Sequence, residues 1–235
     1  MKVRFVDCRA RDLYLAGHVP GAAHADPELD LTGRRAPGTE RGGRHPLPAA
    51  AEFAAWAGAA GIELETLVVG YDEGAGWAAR LWWLLRHFGH ELAGVIPFAA
   101  WQGPLAAGVE SIEPREFLAR PRSDDVATAD ELLERLGDPR LLLLDARAPA
   151  RFRGEVEPID AVAGRIPGAR NLFFEEVSPV PEEHLLAEEI VVYCGSGVTA
   201  CVDLLALAGA GRPDARLYPG SWSEWSHLDL PLERG

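Results

Sequence analysis

The chain has 235 residues, 48% of them hydrophobic, enough to bury one large core or two small ones. A formal net charge of -13 offers no basic face to phosphates, which argues against nucleic acid as a partner, and no apolar run approaches the roughly 18 residues of a membrane span. Three cysteines without Cys-x-x-Cys or Cys/His spacing suggest neither a disulfide framework nor a metal site, and Met1–Phe5 lacks a signal-peptide layout, so a reduced, cytoplasmic setting is expected.

In chain order, Val3–Val6 reads as a strand that runs into Asp7-Cys8-Arg9 and then Gly17-His18-Val19-Pro20-Gly21-Ala22. Gly33–Pro48, rich in Gly, Pro and Arg, reads as a long solvated loop. Leu67–Val69 is the next strand, and Asp72 heads a glycine-bearing loop before a helix over Trp77–Phe88, where Trp77, Leu81, Leu84, Leu85 and Phe88 share one stripe. Pro114, Pro121 and several charges break the periodicity over 108–125, and Thr128-Ala129-Asp130-Glu131 has the form of a helix start. Leu141–Leu144 is apolar at every position, the pattern of a strand covered on both faces. Ile190–Tyr193 is the last clear strand and leads into Cys194-Gly195-Ser196-Gly197-Val198-Thr199, followed by a helical pattern at Val198, Cys201, Val202 and Leu205.

These segments contain an internal repeat. Phe5-Val6-Asp7-Cys8-Arg9 with Gly17-His18-Val19-Pro20-Gly21-Ala22 recurs as Leu143-Leu144-Asp145-Ala146-Arg147 with Gly164-Arg165-Ile166-Pro167-Gly168-Ala169. Val68-Val69-Gly70-Tyr71-Asp72 likewise matches Ile190-Val191-Val192-Tyr193-Cys194. The alternation of strands and helices predicts an α/β protein of two domains, 1–107 and 126–235, joined by a linker over 108–125, each a mainly parallel sheet flanked by helices.

Cys194 stands between a buried strand and a helix, where backbone N–H groups converge on an anion and favour a thiolate or a persulfide. Gly195 and Gly197 permit the backbone angles that such a ring of amides needs, with Val198 and Thr199 completing it. Cys201, within the apolar stripe of the helix, and Cys8, at a strand end, read as packing residues.

Through Asp7-Cys8-Arg9, Cys194-Gly195-Ser196-Gly197-Val198-Thr199-Ala200 and Tyr218-Pro219-Gly220-Ser221-Trp222-Ser223-Glu224-Trp225, the chain resembles the tandem rhodanese family of sulfurtransferases. The resemblance implies a catalytically silent amino-terminal copy, with Asp72 at the cysteine position, and a second copy whose Cys194 carries sulfur from a small anionic donor to a thiol, cyanide or thioredoxin-like acceptor, without a cofactor. Gly195-Ser196 resembles the 3-mercaptopyruvate type rather than the thiosulfate type, which sets basic residues there. That type is thought to use a Ser-His-Asp relay, whose matching positions are Ser196, His18 and Asp7. The alternative for His18 and Asp7 is that they brace strand ends, as they would in a silent copy. Arg151 matches the family arginine that grips the donor's anionic group, its alternative being a surface ion pair with Glu155. Asp160 stands where a second arginine is usual, and Arg165 is the candidate to compensate. Ala200 occupies the arginine position that a Cys-x5-Arg phosphatase requires, which argues against phosphatase chemistry. A non-catalytic rhodanese-like binding module is the remaining alternative, against which stands the retained Cys194.

Overall fold

The computed structural model of the chain describes residues 2–36, 38–39 and 41–235. They form two compact units: unit 1 takes Met1–Gly33 and Leu47–Arg122, and unit 2 takes Arg34–Pro46 and Ser123–Gly235. Among the described residues no helix is long and apolar enough to cross a membrane.

Unit 1 runs β1 (Lys2–Asp7), α1 (Arg11–Ala16), β2 (Ala23–His24), α2 (Ala50–Ala59), β3 (Thr66–Asp72), α3 (Trp77–His87) and β4 (Ala93–Pro97). Its strands pair in the order β2-β1-β3-β4, all parallel. α3 packs on β3 and β4 and is buried from Ala78 through Leu85.

Unit 2 runs α4 (Ala129–Glu134), β5 (Leu141–Asp145), α5 (Pro149–Phe152), β6 (Arg170–Asn171), α6 (Glu182–Leu185), β7 (Glu189–Tyr193), α7 (Ala200–Gly209), β8 (Arg216–Leu217) and α8 (Ser221–Trp225). The order β6-β5-β7-β8, again all parallel, repeats that of unit 1. Leu143, Val191, Tyr193, Tyr218, Trp222 and Trp225 form the main core on one side of this sheet. In α7 the buried positions are Ala200, Cys201, Asp203, Leu204 and Leu207, with Val202 and Leu205 only half-buried, so the helix is rotated from the stripe expected over Val198, Cys201, Val202 and Leu205.

The repeat extends to individual hydrogen bonds. In unit 1, Arg9 donates from Nη2 to Asp7 Oδ2 at 2.7 Å and to the Gly17 carbonyl at 2.6 Å. In unit 2, Arg147 donates from Nη2 to Asp145 Oδ2 at 2.7 Å and to the Gly164 carbonyl at 2.7 Å. The Tyr71 hydroxyl accepts from the Val19 amide at 3.1 Å, and the Tyr193 hydroxyl accepts from the Ile166 amide at the same distance. Each network ties the end of the first sheet strand to the turn after it, and satisfies a buried carboxylate that would otherwise be costly.

Two stretches differ from the sequence expectation. Residues 108–122, read as linker, belong to unit 1: the Gly108 amide donates to Leu15, that of Arg115 to Gly58 and those of Arg120 and Arg122 to Phe88 and His87. Lacking side-chain periodicity, this segment is held by these backbone bonds and by isolated side chains, Glu110 accepting from the Gly21 amide at 2.7 Å and Phe117 packing edge-on against Phe53. The second stretch is 34–46, read as a solvated excursion, which joins unit 2. The Gly42 amide donates to Glu224 Oε1 at 3.1 Å, and Arg41 Nη2 donates to Asp130 at 2.9 Å. At Gly43, with φ of +66°, a Cβ would lie 2.3 Å from the Gly220 carbonyl oxygen, so only glycine lets this strap lie against the loop before α8.

Candidate active site

In unit 2 the chain turns between β7 and α7 around the sulfur of Cys194, which is 1% exposed. The Gly197 amide donates to Cys194 Sγ at 3.1 Å. Gly197 has φ of +79°, and a Cβ there would meet the Pro219 carbonyl oxygen at 2.5 Å, so the turn requires glycine on both counts. Among the described residues the amides of Gly195, Ser196, Val198 and Thr199 meet no acceptor. The loop thus places amide donors around the one sulfur.

A second loop, after β8, holds the first in place. Ser221, at φ of +55°, accepts from the Cys194 amide through Oγ at 3.1 Å and donates to the Tyr218 carbonyl at 2.9 Å. The amides of Trp222 and Ser223 donate to the carbonyls of Cys194 and Gly195 at 3.0 and 2.9 Å. Ser221 is a non-glycine residue in the left-handed region, where strain persists only if its surroundings compel it; its two hydrogen bonds supply that compulsion.

All three cysteines are free thiols. Cys201 Sγ donates to the Gly197 carbonyl at 3.4 Å from the buried face of α7. Cys8 lies in the core of unit 1, where burial, with Asp72 and Asp7 nearby, pushes its thiol pKa well up. A group so reluctant to ionise is a poor nucleophile.

Ser196 Oγ lies 2.8 Å from the Nδ1 of His45, which the strap supplies. The imidazole at hydrogen-bond distance from Ser196 is that of His45, a residue that the expected Ser196-His18-Asp7 relay does not include. In unit 1, His18 is fully buried, its Nδ1 donates to the Tyr14 carbonyl at 2.8 Å, its Nε2 stands 3.3 Å from Glu110 and its ring stacks on Tyr14. Asp7 is fully buried and is gripped by Arg9. Because Asp145 and Arg147 repeat that grip, these partners fit the bracing alternative.

Arg151 extends from α5, where Nε and Nη2 donate to the two oxygens of Glu157 at 3.2 and 2.6 Å. Glu155, the partner named in the surface-pair alternative, accepts from Arg153 at 2.6 Å instead. Burial would raise the Glu157 carboxyl, but Arg151 and the amides of Asp160 and Ile159 outweigh it and hold the group below its ordinary range. Arg151 points at the loop: its Nη1 and Nη2 both lie 3.4 Å from where a Gly195 Cβ would be. Arg165, the candidate to compensate for Asp160, is committed elsewhere, with Nη2 3.2 Å from Glu233, Nη1 on the Gly235 carbonyl and its plane over Phe152.

The sequence reading did not find His45, Arg44, Glu157 or Asp203. Asp203, on the buried face of α7, is 0% exposed and neither carboxylate oxygen has a hydrogen-bond partner. Burial first, then the charges of Cys194 and Asp145, push its carboxyl well above the ordinary range.

Two parallel-sheet units of one design, one of them presenting a cysteine in a basket of amides, define the class. The Rhodanese-like domain family matches residues 1–97 and 128–228, and the chain belongs to the rhodanese family. It is 44% identical over 238 residues to the probable 3-mercaptopyruvate sulfurtransferase of Pseudomonas aeruginosa, covering 91% of this chain and 82% of the relative. It is 38% identical over 257 residues to the putative thiosulfate sulfurtransferase SseB of Mycobacterium tuberculosis, covering 94% and 85%. Among solved structures, SseA from Escherichia coli, described among 3-mercaptopyruvate sulfotransferases, superposes with a TM-score of 0.77 at 31% identity, covering 94% of this chain and 93% of that one.

Proposed function

We propose that this sulfurtransferase draws sulfur from a small anionic donor, 3-mercaptopyruvate in preference to thiosulfate, onto Cys194 as a persulfide, and passes it to a thiol, cyanide or a thioredoxin-like acceptor. In the first step the Cys194 thiolate attacks the donor sulfur. A sulfur–sulfur bond forms as the carbon–sulfur bond breaks, and the bonding pair passes to carbon as the enolate of pyruvate, which then takes a proton. Formally each of the two sulfurs loses one electron and the donor carbon gains both. In the second step the acceptor attacks the outer sulfur, the sulfur–sulfur bond breaks and Cys194 returns as thiolate.

The single observation that carries the donor preference is the 2.8 Å pair of Ser196 Oγ and His45 Nδ1 beside the cysteine. A hydroxyl oriented by an imidazole can stabilise the carbonyl oxygen of mercaptopyruvate as it becomes an enolate oxygen and can handle its proton. Thiosulfate cleavage expels sulfite and has no such need. Arg151 would hold the donor's anionic group. The amide of Gly197, with those of Gly195, Val198 and Thr199, would hold the persulfide anion. Unit 1, with Asp72 where unit 2 has Cys194, is read as catalytically silent. A cytoplasmic setting, expected from three cysteines without a pairing pattern, is part of this reading.

Side-by-side turnover with 3-mercaptopyruvate and thiosulfate, cyanide as common acceptor, tests the reading. A higher kcat/KM for mercaptopyruvate is expected. Preference for thiosulfate would overturn the donor choice, and no turnover with either would leave the binding-module alternative.

A further inference from the structure

Arg44, from the strap, reaches the cysteine loop at Gly195. Its amide donates to Ser223 Oγ at 3.0 Å, which fixes the backbone, and its Nη1 donates to Asp160 Oδ1. Asp160 is buried, and its Oδ2 lies 3.7 Å from Arg151 Nη2 without a hydrogen bond of its own. One carboxylate therefore stands between two guanidinium groups. The outer edges of both converge on Gly195, where a Cβ would lie 3.1 Å from Arg44 Nη2 and 3.4 Å from Arg151 Nη1. Among the described residues neither of these two nitrogens donates a hydrogen bond within the chain.

We propose that Arg44 and Arg151 form a two-guanidinium clamp for the carboxylate of the donor, with Asp160 as the fastener that sets their spacing. The proposal rests on the sulfurtransferase reading above and names the group of the donor that the same site recognises. Free N–H edges on two guanidinium groups match the two oxygens of a planar carboxylate. Glu157 and Asp160 already balance the two arginines in charge, so the clamp suits a monoanion placed by geometry better than a dianion drawn in by charge alone. Gly195 makes room, since a Cβ there would press on Arg44 Nη2 at 3.1 Å and touch Arg151 at 3.4 Å. Asp160 thereby gains a function although it reverses the charge expected at its position.

The test is steady-state kinetics of Arg44→Ala, Asp160→Arg and the double variant Arg44→Asp with Asp160→Arg, with both donors, and calorimetric titration of each with pyruvate. Arg44→Ala is expected to raise the KM for mercaptopyruvate and weaken pyruvate binding roughly tenfold or more, with a smaller change in kcat and in thiosulfate turnover. The double variant, which moves the guanidinium to the other side of the same ion pair, is expected to recover most of the pyruvate affinity lost in Arg44→Ala. A fold defect would lower kcat for both donors alike and would not be relieved by the exchange. Unchanged KM and pyruvate affinity in Arg44→Ala would overturn the clamp while leaving Cys194 chemistry intact. Absence of sulfur transfer by the wild-type protein would overturn both.

Discussion

The loop after β3 and the loop after β7 are the same construction with different heads. In unit 1, Asp72 accepts from the Gly74 amide at 2.8 Å through Oδ1 and from the Ala78 amide at 3.0 Å through Oδ2, so the loop closes on its own carboxylate. In unit 2, Cys194 Sγ accepts from Gly197 and the neighbouring amides remain available. A carboxylate in this position saturates the donors that an arriving sulfur would need. The scaffold supplies an anion site twice, and one residue decides whether it is filled from within. The bracing pairs Asp7–Arg9 and Asp145–Arg147 are identical in kind, so they belong to the scaffold and not to the difference.

Three further differences separate the copies, two of them single substitutions. Counting from the shared motifs, Arg151 corresponds to Leu13, and Asp203 to the core residue Leu81. The third difference is the strap with Arg44 and His45, which unit 2 takes from the amino-terminal part of the chain.

The largest effect short of losing the nucleophile is expected from Arg151→Leu, which makes unit 2 resemble unit 1. Loss of a charge-assisted contact costs about 1.5–3 kcal/mol, or roughly ten- to a hundredfold in kcat/KM for the donor. Unchanged kinetics with both donors would reduce Arg151 to a partner of Glu157.

Next in size is the contrast between two histidines. His45→Ala is expected to depress mercaptopyruvate turnover well beyond thiosulfate turnover, and Ser196→Ala with His45→Ala should be little worse than either alone, because members of one unit are not additive. His18→Ala is expected to lower stability to urea by roughly 1–3 kcal/mol, through loss of its buried hydrogen bonds, and to change both donors equally. A donor-selective loss in His18→Ala would restore His18 to the relay.

Asp203→Asn should affect turnover least and the pH dependence of stability most clearly. A free aspartate titrates near 3.9, while burial and the charges of Cys194 and Asp145 raise Asp203 in the folded chain. Above about pH 4 the unfolded chain therefore releases a proton that the folded chain keeps. Stability falls with rising pH until the folded carboxyl itself titrates, by at most about 1.4 kcal/mol per pH unit. Asp203→Asn removes that slope, so urea unfolding should show its stability gaining on wild type from pH 5 to pH 8. Parallel curves would mean that Asp203 is ionised in the folded chain.

The repeat, the sheet class and the cysteine loop were legible because each is local: a strand period, an Asp-x-Arg bracket and a glycine-flanked cysteine are read within a few residues. Arg151 was singled out through the family resemblance alone, as the position matching the family's donor-gripping arginine. His45 and Arg44 were not, because their meaning lies more than a hundred positions away and their segment has no periodicity to announce packing. The strap is held by backbone amides, by ion pairs and by glycines at close approach, and these leave no hydrophobic signature. Asp203 escaped because a single carboxylate on an apolar helix reads as solvent-facing, and only the rotation of α7 turns it inward.

The central claim is that the sulfur rides on Cys194 and on no other cysteine. Intact mass after treatment with 3-mercaptopyruvate and no acceptor should show one added sulfur, removable by cyanide, in the wild-type chain and in Cys201→Ala, and none in Cys194→Ser. Retention of the added sulfur in Cys194→Ser would contradict the account.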